Sequence, residues 1–317
     1  MKREEALKKF KAEQHQNKAE YISLFQENLR DQLPVLSDQF LKVFEKLRSN
    51  VPENKEVAYI YFSFLRCDII QRNYRILVEC MDTDWYADQD TVSFYISVDF
   101  LFIGINDLWD NLFDGIRKYM GKITKYDVYD MVFDTVMECS RYAAGVLRGV
   151  CWDIEENKYF CRLKKAFVWS ILWGEYRGET ELICHRDYNK KVLKDWRALF
   201  MQLDRKPSAM THSCWYEINL ENHSCSQRDF SYAVFCKCAL ENMDFSSSNL
   251  SGAQFINCNI RDCRFHGADL SMAKFIGCSW ENVTFSGADM KYAVFSREGI
   301  PLQEISQEQW DTMLLAD

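Results

Sequence analysis

Two dipeptides of matching form, His212-x-Cys214 and His223-x-Cys225, carry the residue types and spacing of zinc ligands. Zinc is disfavoured by their place in a five-residue register that extends back through Trp215. That register turns His223 and Cys225 inward and Cys214 outward on another side, so the four do not converge. Cys238, Cys258 and Cys278 recur every twenty residues. They could be a redox or metal cluster, but buried thiols filling a small-residue slot explain them more simply. The acidic run Asp82-Thr83-Asp84-Trp85-Tyr86-Ala87-Asp88-Gln89-Asp90 lacks the glycine and the twelfth-position glutamate of a calcium-binding loop. It reads as a solvated loop feeding a helix N-terminus. Cys184, His185 and Asp187 lack the surroundings of a nucleophile site and read as a surface turn. A glycine-rich phosphate loop is absent. The aromatics Trp169, Trp173, Tyr176, Trp196 and Phe200 read as core. No catalytic, cofactor-binding or metal-binding set is therefore expected.

The elements that would carry these residues follow from punctuation. The only prolines are Pro34, Pro52, Pro207 and Pro301, and seven glycines lie between residues 53 and 206. Apolar residues there fall at steps of three and four, which predicts packed helices near 3–31, 35–49, 54–78, 90–118, 125–148, 158–172 and 188–203. Val128, Val132, Phe133, Val136, Cys139, Ala143 and Val146 make one stripe of the fifth. Ile76–Cys80 and Glu179–Cys184 are candidate short strands.

Beyond Asp204-Arg205-Lys206-Pro207-Ser208 the pattern changes. Phenylalanine stands at 235, 245, 255, 265, 275, 285 and 295, and Leu240, Leu250, Ile260, Leu270, Trp280 and Met290 stand midway. A large apolar residue thus recurs every five positions, with a mostly small one two before it. On a helix, residues five apart point about 140° apart. On a flat strand an odd step alternates faces. Only a chain that turns every few residues keeps the large groups together. Asn242, Gly252, Asn257, Asp262, Gly267, Gly277, Asn282 and Gly287 suit the corners, because they tolerate positive φ. Four sides close a twenty-residue coil, and coils stack about 4.8 Å apart. The columns Phe235/255/275/295 and Phe245/265/285 then form opposite walls.

Ala268-Asp269-Leu270-Ser271-Met272, Ala288-Asp289-Met290 and Ser248-Asn249-Leu250-Ser251-Gly252 resemble the pentapeptide repeat, A-(D/N)-L-X-X. The resemblance implies a right-handed quadrilateral β-helix. Cysteines and Met243 in the small position depart from alanine, so some widened sides are expected. The expected fold is α plus β-solenoid: a mainly α-helical domain over 1–207, an irregular lead-in over 208–227, the pentapeptide-repeat β-helix over 228–299 and a C-terminal cap over 300–317. In the cap, Ser306-Gln307-Glu308-Gln309 has the form of a capping box, predicting a helix over 306–315 across the last coil. The helical domain is expected at the other end.

The chain's 39 basic and 47 acidic residues leave a net charge of −8, which argues against a nucleic-acid or anionic-membrane binder. A start of charged residues without an apolar run, and thirteen scattered cysteines, read as a cytosolic protein with reduced thiols. No stretch reaches the roughly 20 apolar residues of a membrane span.

Three functions compete. The first is a non-enzymatic protein-interaction module of a cytoplasmic, bacterial protein, with an unidentified protein partner and a possible homodimer. Its candidate surface is the outward apolar column Cys236, Ile256 and Ile276, to be covered by the helical domain or presented to a partner. The second comes from the resemblance, since some pentapeptide-repeat proteins mimic duplex DNA and bind type II topoisomerases. Residues 228–297 hold seven acids and seven bases, which opposes polyanion mimicry. The third is an enzyme within the helical region.

Overall fold

The computed structural model describes residues 2–297, 299–301 and 304–316. The chain divides into two compact units, 1–185 and 186–317. The boundary thus falls earlier in the chain than the composition change near Asp204 suggested.

The first unit runs α1 (Arg3–Asp31), α2 (Leu33–Asn50), β1 (Val57–Phe64), α3 (Arg66–Ile70), β2 (Arg75–Met81), β3 (Val92–Ser97), α4 (Ile105–Ile116), α5 (Lys125–Val150), β4 (Lys165–Glu175) and β5 (Thr180–Asp187), whose last two residues lie past the boundary. The strands form one sheet in the order β3-β2-β1-β4-β5. β1 pairs antiparallel with β2 and parallel with β4, and β2 pairs antiparallel with β3. Helices remain the larger part of the unit, as expected. Three predicted helices need correction, however: 54–78 holds β1, the short α3 and the start of β2, 90–118 begins with β3, and 158–172 ends in β4. β1 is buried on both faces, so it shows no alternation to separate it from a buried helix. The candidate strands at Ile76–Cys80 and Glu179–Cys184 lie in β2 and β5.

One sheet face carries the apolar core. Phe40 of α2 stacks on Phe62 of β1 at 4.8 Å, and Phe62 stacks on Trp173 of β4 at 6.0 Å. The predicted α5 stripe is buried, apart from a partly exposed Val146. Its start is fixed by Asp127, which accepts the Thr124 backbone N–H at 2.8 Å and an Arg3 guanidinium bond at 2.8 Å. The anion sits where the unpaired N–H groups of the first turn point.

The second unit opens with α6 (Leu193–Phe200) and continues as β6 (Cys214–Tyr216), β7 (Asn219–Glu221), β8 (Val234–Cys236), β9 (Ala239–Glu241), β10 (Gln254–Ile256), β11 (Asn259–Arg261), β12 (Lys274–Ile276), β13 (Ser279–Glu281), β14 (Val294–Ser296), α7 (Gln307–Thr312) and β15 (Leu314–Ala316). The strands are parallel and spaced twenty residues apart, Phe235 beside Phe255 beside Phe275 beside Phe295. Ladders β15-β14-β12-β10-β8-β6 and β13-β11-β9-β7 make two sides. Single bridges complete the other two, Ser224–Asp244–Arg264–Thr284 and Asp229–Asn249–Asp269–Asp289. The coil is therefore four-sided. It winds in register already from Cys214, so the stretch 208–227 is regular over its second half. Cys225 occupies the large inward position there, as phenylalanine does later.

Backbone φ is positive every fifth residue, from His212 (57°) and Glu217 (55°) through Asn257 (53°) and Gly277 (63°) to Tyr292 (60°). The predicted corners all fall on these positions. Tyr232, Lys237 and Met272 adopt the same conformation without a side chain that favours it, so the stacking of coils imposes it. The acid of A-(D/N)-L-X-X has a local task. Asp229, Asn249, Asp269 and Asp289 each accept the backbone N–H two residues on, at 2.9–3.1 Å. That closes the turn the corner needs.

Inside, Phe255 stacks on Phe235 at 5.0 Å and on Phe275 at 4.7 Å, with rings within 10° of parallel. The facing wall stacks at 5.2 Å per step, and rings across the coil meet edge to face, as Phe255 and Phe265 do at 90°. The cysteine column fits without a break in register. Cys258 donates to the Phe235 carbonyl at 3.3 Å, and Cys278 donates to that of Phe255 at 3.3 Å.

Both coil ends are covered within the unit. Trp196 of α6 is fully buried against Trp215 at 5.1 Å and Phe230 at 6.0 Å. The first coil is therefore capped by α6, the last helix of the stretch 1–207 that was expected to be helical. At the other end the Ser306–Gln309 capping box forms, the Ser306 N–H reaching Gln309 Oε1 at 2.9 Å. The Gln309 amide then donates to the Phe285 and Ala288 carbonyls at 2.7 and 3.0 Å. The predicted helix over 306–315 is shorter than expected. After Met313 the chain extends and β15 pairs with β14, which leaves Leu314 half exposed.

Candidate interaction surface

On the side built from β6, β8, β10, β12 and β14, the residues flanking each inward aromatic residue point outward. One flank reads Cys214, Val234, Gln254, Lys274 and Val294, and the other reads Tyr216, Cys236, Ile256, Ile276 and Ser296. Cys236, Ile256 and Ile276 stand on successive rungs and are each half-buried. Residues 186–191 lie on part of this side. Arg186 donates to Gln254 Oε1 at 3.3 Å, Lys191 donates to the Cys214 carbonyl at 3.0 Å, and Tyr188 meets Tyr216 at 5.2 Å. Cys214 is buried by that cover, although its direction is outward as expected. The charged column on the next side is an ion ladder, Arg261 lying 3.9 Å from Glu241 and 2.9 Å from Glu281. Exposed pairs of this kind contribute about 0–1 kcal/mol each.

The four zinc candidates are separated. His212 stacks on Tyr232 at 4.9 Å, and His223 faces Trp196 at 6.0 Å and Phe200 at 5.8 Å. Burial and the charge of Arg197 hold His223 below the ordinary histidine range. Cys225 is fully buried, and burial pushes its thiol up. Among the described residues no group of His, Cys, Asp and Glu has the arrangement of a metal site. Burial pushes the thiol of Cys263 up to about 11, whereas the hydrogen bond with Cys258 holds Cys278 below the ordinary thiol range.

Cys184, His185 and Asp187, read as a surface turn, belong to β5 instead. Ser170 and His185 Nδ1 lie 2.9 Å apart, while Asp187 pairs with Lys191 at 2.7 Å. Trp169, Trp173 and Trp196 are core, as expected, and Tyr176 and Phe200 are half-buried.

The acidic run departs from the solvated loop expected of it. It leads into β3, not a helix, and Asp88 is buried in an ion pair with Lys55. Asp88 also accepts the N–H groups of Asp82 at 3.1 Å and Asp90 at 2.9 Å, and Lys55 donates to the Asp90 carbonyl at 2.7 Å. Burial alone would raise the Asp88 carboxyl. The Lys55 ammonium and the two N–H donors bring it below the ordinary range.

That pinned loop presents Trp85 and Tyr86 beside Tyr61 of β1, a cluster that sequence reasoning missed. The Trp85 Nε1–H donates to the Tyr61 hydroxyl at 2.8 Å, Trp85 and Tyr86 lie 4.5 Å apart, and Tyr61 and Tyr86 lie 5.8 Å apart. With Arg177, Gly178 and Thr180 from the β4–β5 turn they line a cleft of about 420 Å³. The aromatic pair Trp85-Tyr86 inside an acidic run was the available signal.

Among the described residues, no helix is long and apolar enough to cross a membrane. No curated protein matches the chain. Among solved structures, alr5209, a pentapeptide repeat protein from Nostoc, is 18% identical over 37% of this chain and 94% of its own, with a TM-score of 0.23. A pentapeptide repeat protein from the Arabidopsis thaliana thylakoid lumen is 16% identical over 32% and 75%, with a TM-score of 0.17. QnrB1, a plasmid-mediated fluoroquinolone resistance protein, is 16% identical over 34% and 85%, with a TM-score of 0.10. Residues 208–295 match the family described as pentapeptide repeat region, the stretch that winds as the four-sided coil, and the match stops short of residues 1–207. This C-terminal part of the chain is thus a pentapeptide-repeat solenoid.

Proposed function

We propose that the protein is a non-enzymatic, cytosolic interaction module, in which the capped solenoid is a rigid scaffold and the column Cys236, Ile256 and Ile276 contacts a protein partner. The column itself carries this reading: three apolar groups on consecutive rungs of a wall whose in-register pairing fixes their spacing. A solvated wall gains nothing from such a stripe, whereas a partner gains roughly 25 cal/mol per Å² of apolar area it covers. The charge balance of seven acids and seven bases over 228–297 favours this over mimicry of DNA.

The test is the pair Ile256→Lys and Ile276→Lys. Affinity capture from the native host should recover a partner with the parent chain and lose it with the double variant, while thermal melting changes little. An unchanged capture profile would remove this wall as the contact surface. Inhibition of type II topoisomerase supercoiling by the purified protein would favour the DNA-mimic reading instead.

A further inference from the structure

In the first unit, Glu79 of β2 lies opposite Tyr61 of β1 and opposite Ser93 of β3. Cross-strand neighbours share a face with Cβ atoms about 5 Å apart. Glu79 is 8% exposed, and its Oε2 has no hydrogen-bond partner. A buried carboxylate oxygen left unpaired is destabilising by several kcal/mol where nothing compensates it. Arg177, whose charge acts on Glu79, lies over the Tyr86 ring at 5.0 Å and makes no salt bridge with Glu79 among the described residues. Burial raises the Glu79 carboxyl, and Arg177 only partly opposes the rise.

Beside Glu79 on the same sheet face stands Tyr61, whose ring lines the cleft with those of Trp85 and Tyr86 and with Arg177, and Tyr59 lies 6.5 Å from Trp85. Ring faces carry partial negative charge and attract cations that are weakly hydrated. A divalent metal needs several oxygen ligands, and the site offers one free carboxylate oxygen. An anion would find one cation, Arg177, against three ring faces and the unpaired Glu79 carboxylate. A primary ammonium needs three acceptors, which ring faces do not supply. A methylated ammonium has no N–H to satisfy and little hydration to lose.

We propose that the Tyr61–Trp85–Tyr86 cleft binds a quaternary ammonium group, with Glu79 as its buried counter-charge. The Lys55–Asp88 pair holds the loop that carries Trp85 and Tyr86 in place. Arg177 is the competitor: its guanidinium already rests on one of the rings the ligand would use.

The test is titration of the full chain with tetramethylammonium, read by tryptophan fluorescence and by line broadening of the methyl resonance. Saturable binding near the millimolar range is expected, since a headgroup of five heavy atoms makes few contacts (about −4 kcal/mol corresponds to 1 mM). Ammonium chloride at equal ionic strength should give no saturable response. Glu79→Gln, close in shape, should weaken binding at least tenfold, Trp85→Ala should abolish it, and Arg177→Ala should tighten it. Choline and a trimethyl-lysine peptide separate the sources: tighter choline binding marks a free small molecule, and tighter peptide binding marks a modified protein tail. Absence of saturation, or equal binding by the parent and Glu79→Gln, overturns the proposal. If Glu79→Gln loses its native circular dichroism, Tyr86→Leu replaces it, and undiminished binding there is equally decisive against the site.

Discussion

Replacement of Phe255 tests whether the stacked rings stabilise the solenoid or merely fill it. Phe255 is fully buried, stacked on Phe235 and Phe275 and edge-on to Phe245 at 6.5 Å and Phe265 at 6.2 Å. Alanine at a buried phenylalanine costs about 3–5 kcal/mol from lost transfer energy and a cavity. Leucine keeps most of the apolar volume and removes the two close ring stacks, each contributing about 0.5–1.5 kcal/mol beyond area. Two lost stacks therefore predict a loss of about 1–3 kcal/mol for Phe255→Leu. The coil also predicts how such losses combine. Phe255 and Phe275 touch, so the double leucine variant should show coupling of about 0.5–1.5 kcal/mol. Phe235 and Phe275 are two coils apart and should add, as repeats coupled only to their neighbours do. Urea unfolding followed by circular dichroism and fluorescence measures both, fitted for two transitions because each unit has its own core. A loss below about 0.5 kcal/mol for Phe255→Leu, or equal coupling at one and two coils, would refute the reasoning.

At the corners, Gly277→Ala should cost about 1–2 kcal/mol, because φ is +63° and the new Cβ would stand 2.2 Å from Asn257 Oδ1. Gly287→Asn should stay within about 0.5 kcal/mol, since asparagine tolerates φ of +69° and the nearest atom, the Gly267 nitrogen, is 4.0 Å away; paired melting curves check both. Lys55→Met leaves the Asp88 carboxylate, 1% exposed, without its cation and should cost roughly 3 kcal/mol. In the parent, Asp88 titrates below the ordinary range, so its contribution is present above the unfolded carboxyl pKa and is lost as pH falls through the folded value. The variant should lose less stability on acidification over that window, seen as a shallower acid limb in melting temperature against pH.

The solenoid was legible because its pattern is redundant. Phe235 to Phe295, the corners and the small column all report one period, and each is a backbone demand that neighbouring coils cannot override. The first unit was legible only where one face is wet, as in α1 and α5. β1, Val57–Phe64, and β4, Lys165–Glu175, are largely buried on both faces and carry no period that distinguishes strand from helix. Their β-branched and aromatic content was the available cue. β3 does alternate, with Val92, Phe94 and Ile96 turned inward, but it was absorbed into the helical run that follows. The cleft at Tyr61, Trp85, Tyr86 and Arg177 was hidden for another reason. Its walls come from a central strand, a loop and a distant hairpin, and sheet order, which no local pattern encodes, brings them together.

Because like residues sit above one another on every side, the coil constrains how its gene can change in length. Loss of a single residue would rotate the downstream frame, driving turn-formers into the interior and phenylalanines into water. Removal of five preserves the inside and outside but shifts each wall by a quarter turn, setting Leu240-type groups over the phenyl piles. Only a twenty-residue step restores every vertical neighbour, so heritable size variants of this rod should differ by whole storeys.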